Sequence, residues 1–225
     1  MALLCDSWYS YYLMKENTVY LPSEYRIDYK FQDGDGPLLI FLHGYAQNGN
    51  SFYNDIKDAL PANCAVLIPN GPFPMPGQTR TIDDLGYAWY FYDAPSDQYY
   101  IPYTIPADLL KSLVENLKLQ DREKIIVGFS QGGYLAPFVA EVLTNIRHVV
   151  CINSSFRHDY MKKTESNFLV HAINGADDNL VDPNLARERH EKLNTLNRQG
   201  DFTLIPETKH RINDGIRNKL KDYLR

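Results

Sequence analysis

A serine between two glycines is the residue in this chain whose type and spacing most directly indicate chemistry. Ser130 is at the centre of a Gly-x-Ser-x-Gly motif, Gly128–Gly132. A β-branched apolar run, Lys124–Phe129, leads into the motif, and an apolar segment of helical length begins at Tyr134. Strand, tight turn and helix in this order are typical of a nucleophile elbow, in which a strained turn exposes the serine hydroxyl. The motif therefore predicts that Ser130 is a nucleophile.

A serine hydroxyl needs a histidine base within hydrogen-bond reach, and position along the chain selects one candidate. In this kind of site the expected order is serine, acid, histidine, each at the carboxyl end of a strand. His210 follows the last predicted strand by a short loop and precedes the final predicted helix, so it is the predicted base. The histidines that are out of order, or that fall inside predicted strands or a predicted helix, are His43, His148, His158, His171 and His190.

Two neighbouring aspartates are candidates for the acid that orients the base. Asp177 and Asp178 follow the predicted strand Asn167–Ile173, in a loop at the carboxyl end of the sheet. Order and position do not separate the two residues. Whichever is not the acid is expected to be a turn or capping residue.

Acyl chemistry also needs two backbone N–H groups directed at the negative charge that develops on the substrate oxygen. One is expected from Gln131, directly after the nucleophile. The other is expected from the loop that follows the apolar run Leu38–Leu42. In that loop Gly44 permits the turn after His43, and the N–H of Tyr45 is the predicted donor.

The elements that must position these residues alternate between continuous apolar runs and segments with a period of 3.6 residues. The runs are typical of strands buried on both faces, and their alternation with helices predicts a mostly parallel central sheet with helices on both faces. Residues 18–29 are expected to add antiparallel edge strands. Pro137 falls inside the helix expected after Ser130, so a kink or a later helix start is expected. The predicted strands are Leu38–Leu42, Ala65–Ile68, Lys124–Phe129, His148–Ile152, Asn167–Ile173 and Phe202–Ile205, and the predicted helices are Ser51–Leu60, Pro106–Leu119, Asn184–Asn197 and Asp214–Leu224.

A long segment without periodicity, residues 70–103, is rich in proline and aromatic residues. Loops of this length in a compact domain are usually functional or disordered, and so much aromatic surface favours a packed segment. Two interpretations stay open: a lid or pocket wall over the serine, or a surface excursion that packs on itself. We expect one domain, 1–225, with 70–104 as this aromatic-rich insertion. The candidate pocket residues are Phe73, Trp89 and Tyr90.

Composition argues against several functional classes. The net charge of −5, without a basic block, gives no support for nucleic-acid binding. No apolar run reaches the length of a membrane span, and the N-terminus lacks the basic and apolar regions of a secretory signal. The 3 cysteines are scattered, and no Cys/His pair has metal-ligand spacing. Cys64 and Cys151 lie beside or within predicted strands and are expected to be reduced core residues. We therefore expect a cytoplasmic protein without a metal site.

Together these segments resemble the α/β-hydrolase superfamily, and within it the phospholipase/carboxylesterase family, which includes the acyl-protein thioesterases. The nucleophile segment Gly128–Gly133 matches that family residue for residue. Residues 43–44 match the start of its oxyanion loop, and His210 matches its catalytic histidine. The family's acid motif, His-Gly-x-x-Asp-x-x-Val, aligned with Asn174–Val181, places the catalytic aspartate at Asp178.

The resemblance implies an α/β-hydrolase fold and a serine hydrolase with the triad Ser130, Asp178 and His210. It implies cleavage of carboxylic esters or acyl thioesters through an acyl-enzyme, with short-chain esters, lysophospholipids or acyl thioesters as substrates. It also implies no cofactor and a monomer or weak homodimer. Two other functions stay open: a peptidase or amide/C–C hydrolase on the same triad, and a non-catalytic hydrolase-fold protein that binds a ligand. The presence of all three triad candidates favours an enzyme.

Overall fold

Eleven strands and five α-helices are present in the part of the chain that the computed structural model describes, residues 24–76, 85–162 and 168–225. The strands are β1 (Tyr29–Gln32), β2 (Leu38–Leu42), β3 (Ala65–Pro69), β4 (Phe73–Met75), β5 (Gly86–Ala88), β6 (Phe91–Asp93), β7 (Gln98–Ile101), β8 (Lys124–Phe129), β9 (Ile146–Ile152), β10 (Leu169–Gly175) and β11 (Gln199–Ile205). The helices are α1 (Gly49–Ile56), α2 (Thr104–Asn116), α3 (Gln131–Val142), α4 (Pro183–Glu191) and α5 (Asp214–Leu220).

Seven strands form the central sheet, in the order β1-β3-β2-β8-β9-β10-β11. All neighbouring pairs from β3 to β11 are parallel, whereas β1 pairs antiparallel with β3 at the edge. β2, β3 and β8 are buried along their whole length, which explains their continuous apolar sequences. The mostly parallel sheet is thus confirmed. The antiparallel edge strand, Tyr29–Gln32, begins at the last residue of the region where it was expected. Residues 24–28 of that region form no strand, and residues 18–23 lie outside the described ranges.

Apolar layers cover both faces of the sheet. Alternate residues of β2 point to opposite layers: Leu38 and Ile40 pack with α2 and α3, and Leu39 and Phe41 pack with α1 and α5. The predicted helices on both faces are therefore confirmed. Within the described ranges no helix combines the length and apolarity that crossing a membrane requires.

One predicted detail of the chain needs correction, and one segment without a periodic signal contains regular structure. The helix after the serine starts at Gln131 and runs through Pro137, so a later start is wrong. The start is fixed by the tight turn at Ser130 and not by helix propensity. Residues 70–103 are not structureless: two small antiparallel sheets form there, β4 with β5 and β6 with β7. Residues 77–84 of this segment lie outside the described ranges.

Candidate active site

Ser130 occupies the sharp turn between β8 and α3. Its φ of 51° and ψ of −119° are values that residues other than glycine rarely adopt. A Cβ atom on Gly128 would lie 2.2 Å from the carbonyl oxygen of Gly132, and one on Gly132 would lie 2.2 Å from that of Leu42. Only glycine fits at either position, because backbone meets backbone there. The turn therefore has the strained geometry expected of a nucleophile elbow.

A chain of hydrogen bonds joins Ser130, His210 and Asp178. Nε2 of His210 is 2.9 Å from Oγ of Ser130, and Nδ1 of His210 is 2.7 Å from Oδ2 of Asp178. The carboxylate accepts the Nδ1 proton, which leaves Nε2 free to accept the proton of the serine hydroxyl. These are the contacts that a general base needs.

The loop around Asp178 fixes the carboxylate from its other side. Oδ1 accepts the backbone N–H groups of Leu180 at 2.9 Å and Val181 at 3.0 Å, and the side chain is completely buried. Asp177 is exposed. The structure therefore brings Asp178, and not its neighbour, to His210.

His43 supports the loop 43–48, called the oxyanion loop below. The buried ring donates from Nδ1 to the Gly44 carbonyl at 2.7 Å and accepts the Gly71 N–H at Nε2 at 2.9 Å. Burial lowers the pKa of His43 to about 4, so the imidazole is neutral at pH 7. Its backbone carbonyl accepts the indole N–H of Trp89 at 2.8 Å. His43 thus joins the oxyanion loop to residues 71–89.

The two predicted oxyanion donors, Tyr45 and Gln131, both belong to residues that line the same cleft as Ser130. Among the hydrogen bonds of the described residues, none is donated by the N–H of Tyr45 or of Gln131, and both residues line that cleft. Gln131 is the first residue of α3, where N–H groups have no intrahelical acceptor and the helix dipole is positive. The N–H groups on either side of Tyr45, those of Gly44 and Ala46, are both bonded. The arrangement can accept an anionic oxygen.

The cleft over Ser130 has a volume of about 290 Å³ and is open to solvent. Burial raises the pKa of Tyr90 and of Tyr134, so both hydroxyls are neutral at pH 7. A larger cavity, of about 530 Å³, lies beside residues 24–28 and does not include Ser130, so it is not the site of the chemistry. The residues that line the smaller cleft are Tyr45, Tyr90, Phe91, Tyr92, Ser130, Gln131 and Tyr134.

Of the three predicted pocket residues, Tyr90 lines this cleft and the other two do not. Trp89 is completely buried, because its indole N–H bonds inward to the oxyanion loop and its ring centre is 4.8 Å from that of His43. Phe73 packs behind Phe91, with ring centres 5.8 Å apart, and Phe91 faces the cleft. Both predictions are therefore corrected: Trp89 supports the oxyanion loop, and Phe73 supports a cleft residue.

Gln131 attaches the aromatic segment to the nucleophile turn. Its Oε1 accepts the backbone N–H of Trp89 at 2.9 Å, and its Nε2 donates to the backbone carbonyl of Tyr90 at 2.8 Å. The side chain of Gln131 therefore holds the backbone of Trp89 and Tyr90 directly beside Ser130.

Arg157 attaches the β6–β7 hairpin to the body of the molecule. Its guanidinium donates to the Asp97 carboxylate at 3.0 Å and to the Tyr92 hydroxyl at 3.3 Å. It also pairs with Asp159, which lowers the pKa of that carboxyl, and lies 4.1 Å from the centre of the Tyr160 ring. The side chain of Arg157 is only 11% exposed, whereas its partners Asp97 and Asp159 are 63% and 50% exposed, so the cation is largely buried and the two carboxylates face solvent.

Sequence reasoning missed several residues around the cleft. Tyr134 had a usable signal, because it follows Ser130 by four residues on a helix and so shares its face. Arg157 had none, since its partner Asp97 is 60 residues away in the chain. The same holds for the side chain of Gln131, which was predicted only as a backbone donor.

Metal ligation has no support among the described residues, in which no group of three or more His, Cys, Asp or Glu side chains is arranged to hold an ion. Cys64 and Cys151 are free and buried, and burial raises the pKa of both thiols. They are core residues, as the sequence predicts.

Comparison with known proteins shows the family and the fold of this chain. The family model described as Phospholipase/Carboxylesterase matches residues 30–225. Similar solved structures include esterase PE8, with 19% identity, 88% of this chain and 98% of that chain covered, and a TM-score of 0.69. Others are acyl-protein thioesterase 2 of Zea mays (16% identity, 89% of this chain and 98% of that chain covered, TM-score 0.67) and a Bacillus cereus carboxylesterase (16%, 88% and 93%, 0.65). No curated protein matches the sequence.

Proposed function

Because this chain belongs to the phospholipase/carboxylesterase family, we propose that it is a serine hydrolase that cleaves carboxylic esters or acyl thioesters through an acyl-enzyme. The observation that carries the proposal is the hydrogen-bond chain from Ser130 through His210 to Asp178, with distances of 2.9 and 2.7 Å. A hydroxyl is a weak nucleophile at pH 7 unless a base removes its proton. In these hydrogen bonds His210 is the base and Asp178 is the acid that orients it.

In the first half of the reaction, Oγ of Ser130 attacks the acyl carbon while Nε2 of His210 takes the hydroxyl proton. The carboxylate of Asp178 stabilises the imidazolium that forms. The N–H groups of Tyr45 and Gln131 donate to the developing oxyanion, and such a donor contributes about 3 kcal/mol to transition-state stabilisation. The imidazolium then gives its proton to the alcohol or thiol as the acyl bond to it breaks.

In the second half, water replaces the leaving group. His210 takes a proton from that water, whose oxygen attacks the acyl carbon of the acyl-Ser130 ester. The tetrahedral intermediate collapses, the carboxylic acid leaves, and the proton returns to Oγ of Ser130. No cofactor is needed in either half.

The shape of the cleft favours compact acyl groups. Its volume of about 290 Å³ is near the lower limit of ligand pockets, roughly 300–1,000 Å³. Aromatic rings line it, so short chains and planar groups have surface to pack against. In this proposal residues 70–104 form a wall of the cleft that Gln131 and Arg157 attach. The single domain, the cytoplasmic location and the monomeric or weakly dimeric state stay predictions.

The test is hydrolysis of p-nitrophenyl esters from acetate to palmitate by the wild type and by Ser130→Ala. We expect the highest kcat/KM on short chains, and a loss of about 10⁴-fold or more in the variant. Ser112→Ala, which removes an exposed hydroxyl on α2 that bonds only its own helix, is the matched control and should keep wild-type activity. Hydrolysis that survives in Ser130→Ala would contradict the proposal. Folded protein that is inactive on all esters and thioesters would favour the ligand-binding alternative.

A further inference from the structure

Asn153 lies at the carboxyl end of β9, between the strand that leads to the nucleophile and the strand that leads to the acid. Its backbone N–H continues the sheet by donating to the Ile173 carbonyl of β10 at 3.0 Å. Its φ of 44° is in the left-handed region, which asparagine tolerates better than most residues. The residue is completely buried. The local backbone therefore turns here in a way that directs the side chain inward.

The side chain of Asn153 bonds both loops of the proposed triad. Oδ1 accepts the N–H of Gly175, where the acid loop begins, at 2.8 Å. Nδ2 donates to the carbonyls of Lys209 at 3.2 Å and Arg211 at 3.4 Å, the two residues on either side of His210. An amide supplies the one acceptor and two donors that this arrangement uses, whereas a carboxylate supplies acceptors alone.

The two carbonyls that accept from Asn153 belong to a tight turn around His210. The N–H of Arg211 donates to the Lys209 carbonyl at 2.7 Å, which makes His210 the central residue of a γ-type turn. Other contacts between the two loops involve Thr208, whose carbonyl accepts the N–H of Asp177 at 2.9 Å. These contacts precede the histidine. Asn153 is the side chain that holds the backbone on both sides of it.

We propose that Asn153 is a positioning residue that keeps the base and the acid in register. It acts through the backbone of the two loops and does not line the cleft, so it affects the transfer of the proton and not the binding of substrate. A displacement of about 1 Å at a reacting group costs about 100-fold in rate, which sets the scale of the effect. This inference rests on the proposed function.

The test compares two asparagines at opposite ends of β9. Asn145 also has a positive φ, of 54°, and its Nδ2 also donates to a backbone carbonyl, that of Asp121 at 3.1 Å. Glycine tolerates both backbone conformations, so Asn153→Gly and Asn145→Gly each remove an asparagine side chain from a position of positive φ, the first buried and the second exposed. For p-nitrophenyl acetate we expect Asn153→Gly to lower kcat roughly 10- to 100-fold with KM within about twofold of the wild type. Asn145→Gly should leave kcat and KM unchanged.

A second variant covers the case in which Asn153→Gly does not fold. Asn153→Asp keeps the acceptor for Gly175 and faces the two carbonyls beside His210 with an oxygen in place of the donors. We expect a similar loss of kcat, and a parallel loss in the rate at which a fluorophosphonate modifies Ser130. A wild-type kcat in either folded Asn153 variant, or an equal loss in Asn145→Gly, would overturn the inference. If the wild type itself neither hydrolyses esters nor reacts with the fluorophosphonate, the proposed function has failed instead.

Discussion

The two sides of the cleft are built by different means. On one side, the sheet itself places Ser130, Asp178 and His210 after the carboxyl ends of three of its parallel strands, and the backbone leaves room only for glycine around the serine. On the other side, Tyr90, Phe91 and Tyr92 belong to the aromatic segment outside the central sheet, which is attached by the side chains of Gln131 and Arg157. In the proposed function, the side built by backbone carries the chemistry, and the side built by side chains shapes the space for the substrate.

Substitutions on the two sides of the cleft are therefore expected to have different effects. A change among the residues that the sheet positions should remove turnover with little effect on substrate choice. A change in the side-chain attachments should alter which substrates fit while the triad stays intact. His43 is at the junction, since it is bonded to the oxyanion loop and to Gly71 of the aromatic segment.

The largest effect is expected at the acid. Asp178→Asn replaces the acceptor of the His210 Nδ1 proton with an amide and should lower kcat by about 10³- to 10⁴-fold, because the imidazole is left in the wrong tautomer. Asp177→Asn is the matched control on the exposed neighbour and should retain kcat within about twofold. Steady-state kinetics on p-nitrophenyl acetate measures both. Equal losses of kcat in the two variants would contradict the assignment of Asp178, and not Asp177, as the acid.

An intermediate effect is expected at His43, on the stability of the folded protein at low pH. Burial lowers the pKa of His43 from 6.5 to about 4, so below pH 6.5 the unfolded chain binds a proton that the folded chain does not. The free energy of unfolding should therefore fall as pH drops from 6.5 to 4, by about 3 kcal/mol from this residue. Urea unfolding at pH 7.0, 5.5 and 4.5 measures the slope.

The variant His43→Gln isolates this contribution. Glutamine keeps a donor and an acceptor but does not titrate, so the slope should flatten below pH 6.5 even though stability at pH 7 decreases. Part of the slope should persist, because burial also lowers the pKa of His171 to about 4. If the free energy of unfolding of His43→Gln depends on pH as steeply as that of the wild type, His43 is not held as a buried neutral imidazole.

The smallest effect is expected at the hairpin attachment. Arg157→Met removes the bonds to Tyr92 and Asp97 and should change the ratio of kcat/KM for butyrate over acetate by about fivefold, chiefly through KM. Arg147→Met removes a partly exposed ion pair with Glu123 at the opposite end of β9 and is the matched control. A loss of kcat on both esters alike in Arg157→Met would place the aromatic wall within the catalytic machinery.

The same difference explains which features the sequence predicts. The buried strands and the Ser130 motif follow from local composition, since continuous apolar runs and closely spaced glycines have few other structural explanations. His210 follows from its place after the last strand. Asp178 required the family motif, because two adjacent aspartates in one loop differ only in which carboxylate the loop turns inward.

Features that depend on distant side-chain contacts were not predictable. The hairpins of the aromatic segment have strands of only three or four residues, too short for a periodic signal. Trp89 turned out to be buried because its indole meets a carbonyl 46 residues earlier in the chain. Asn153 reaches carbonyls 56 and 58 residues later. Neither partner is visible from the neighbouring sequence.

Covalent labelling of the folded enzyme tests the central claim most directly. Wild-type protein treated with a fluorophosphonate and digested for peptide mass spectrometry should carry one adduct, on the peptide that contains Ser130. Ser130→Ala should carry none, and His210→Ala should label far more slowly, because the base no longer activates the hydroxyl. An adduct on another residue, or no adduct on folded wild-type protein, would contradict the assignment of Ser130 as the nucleophile of this site.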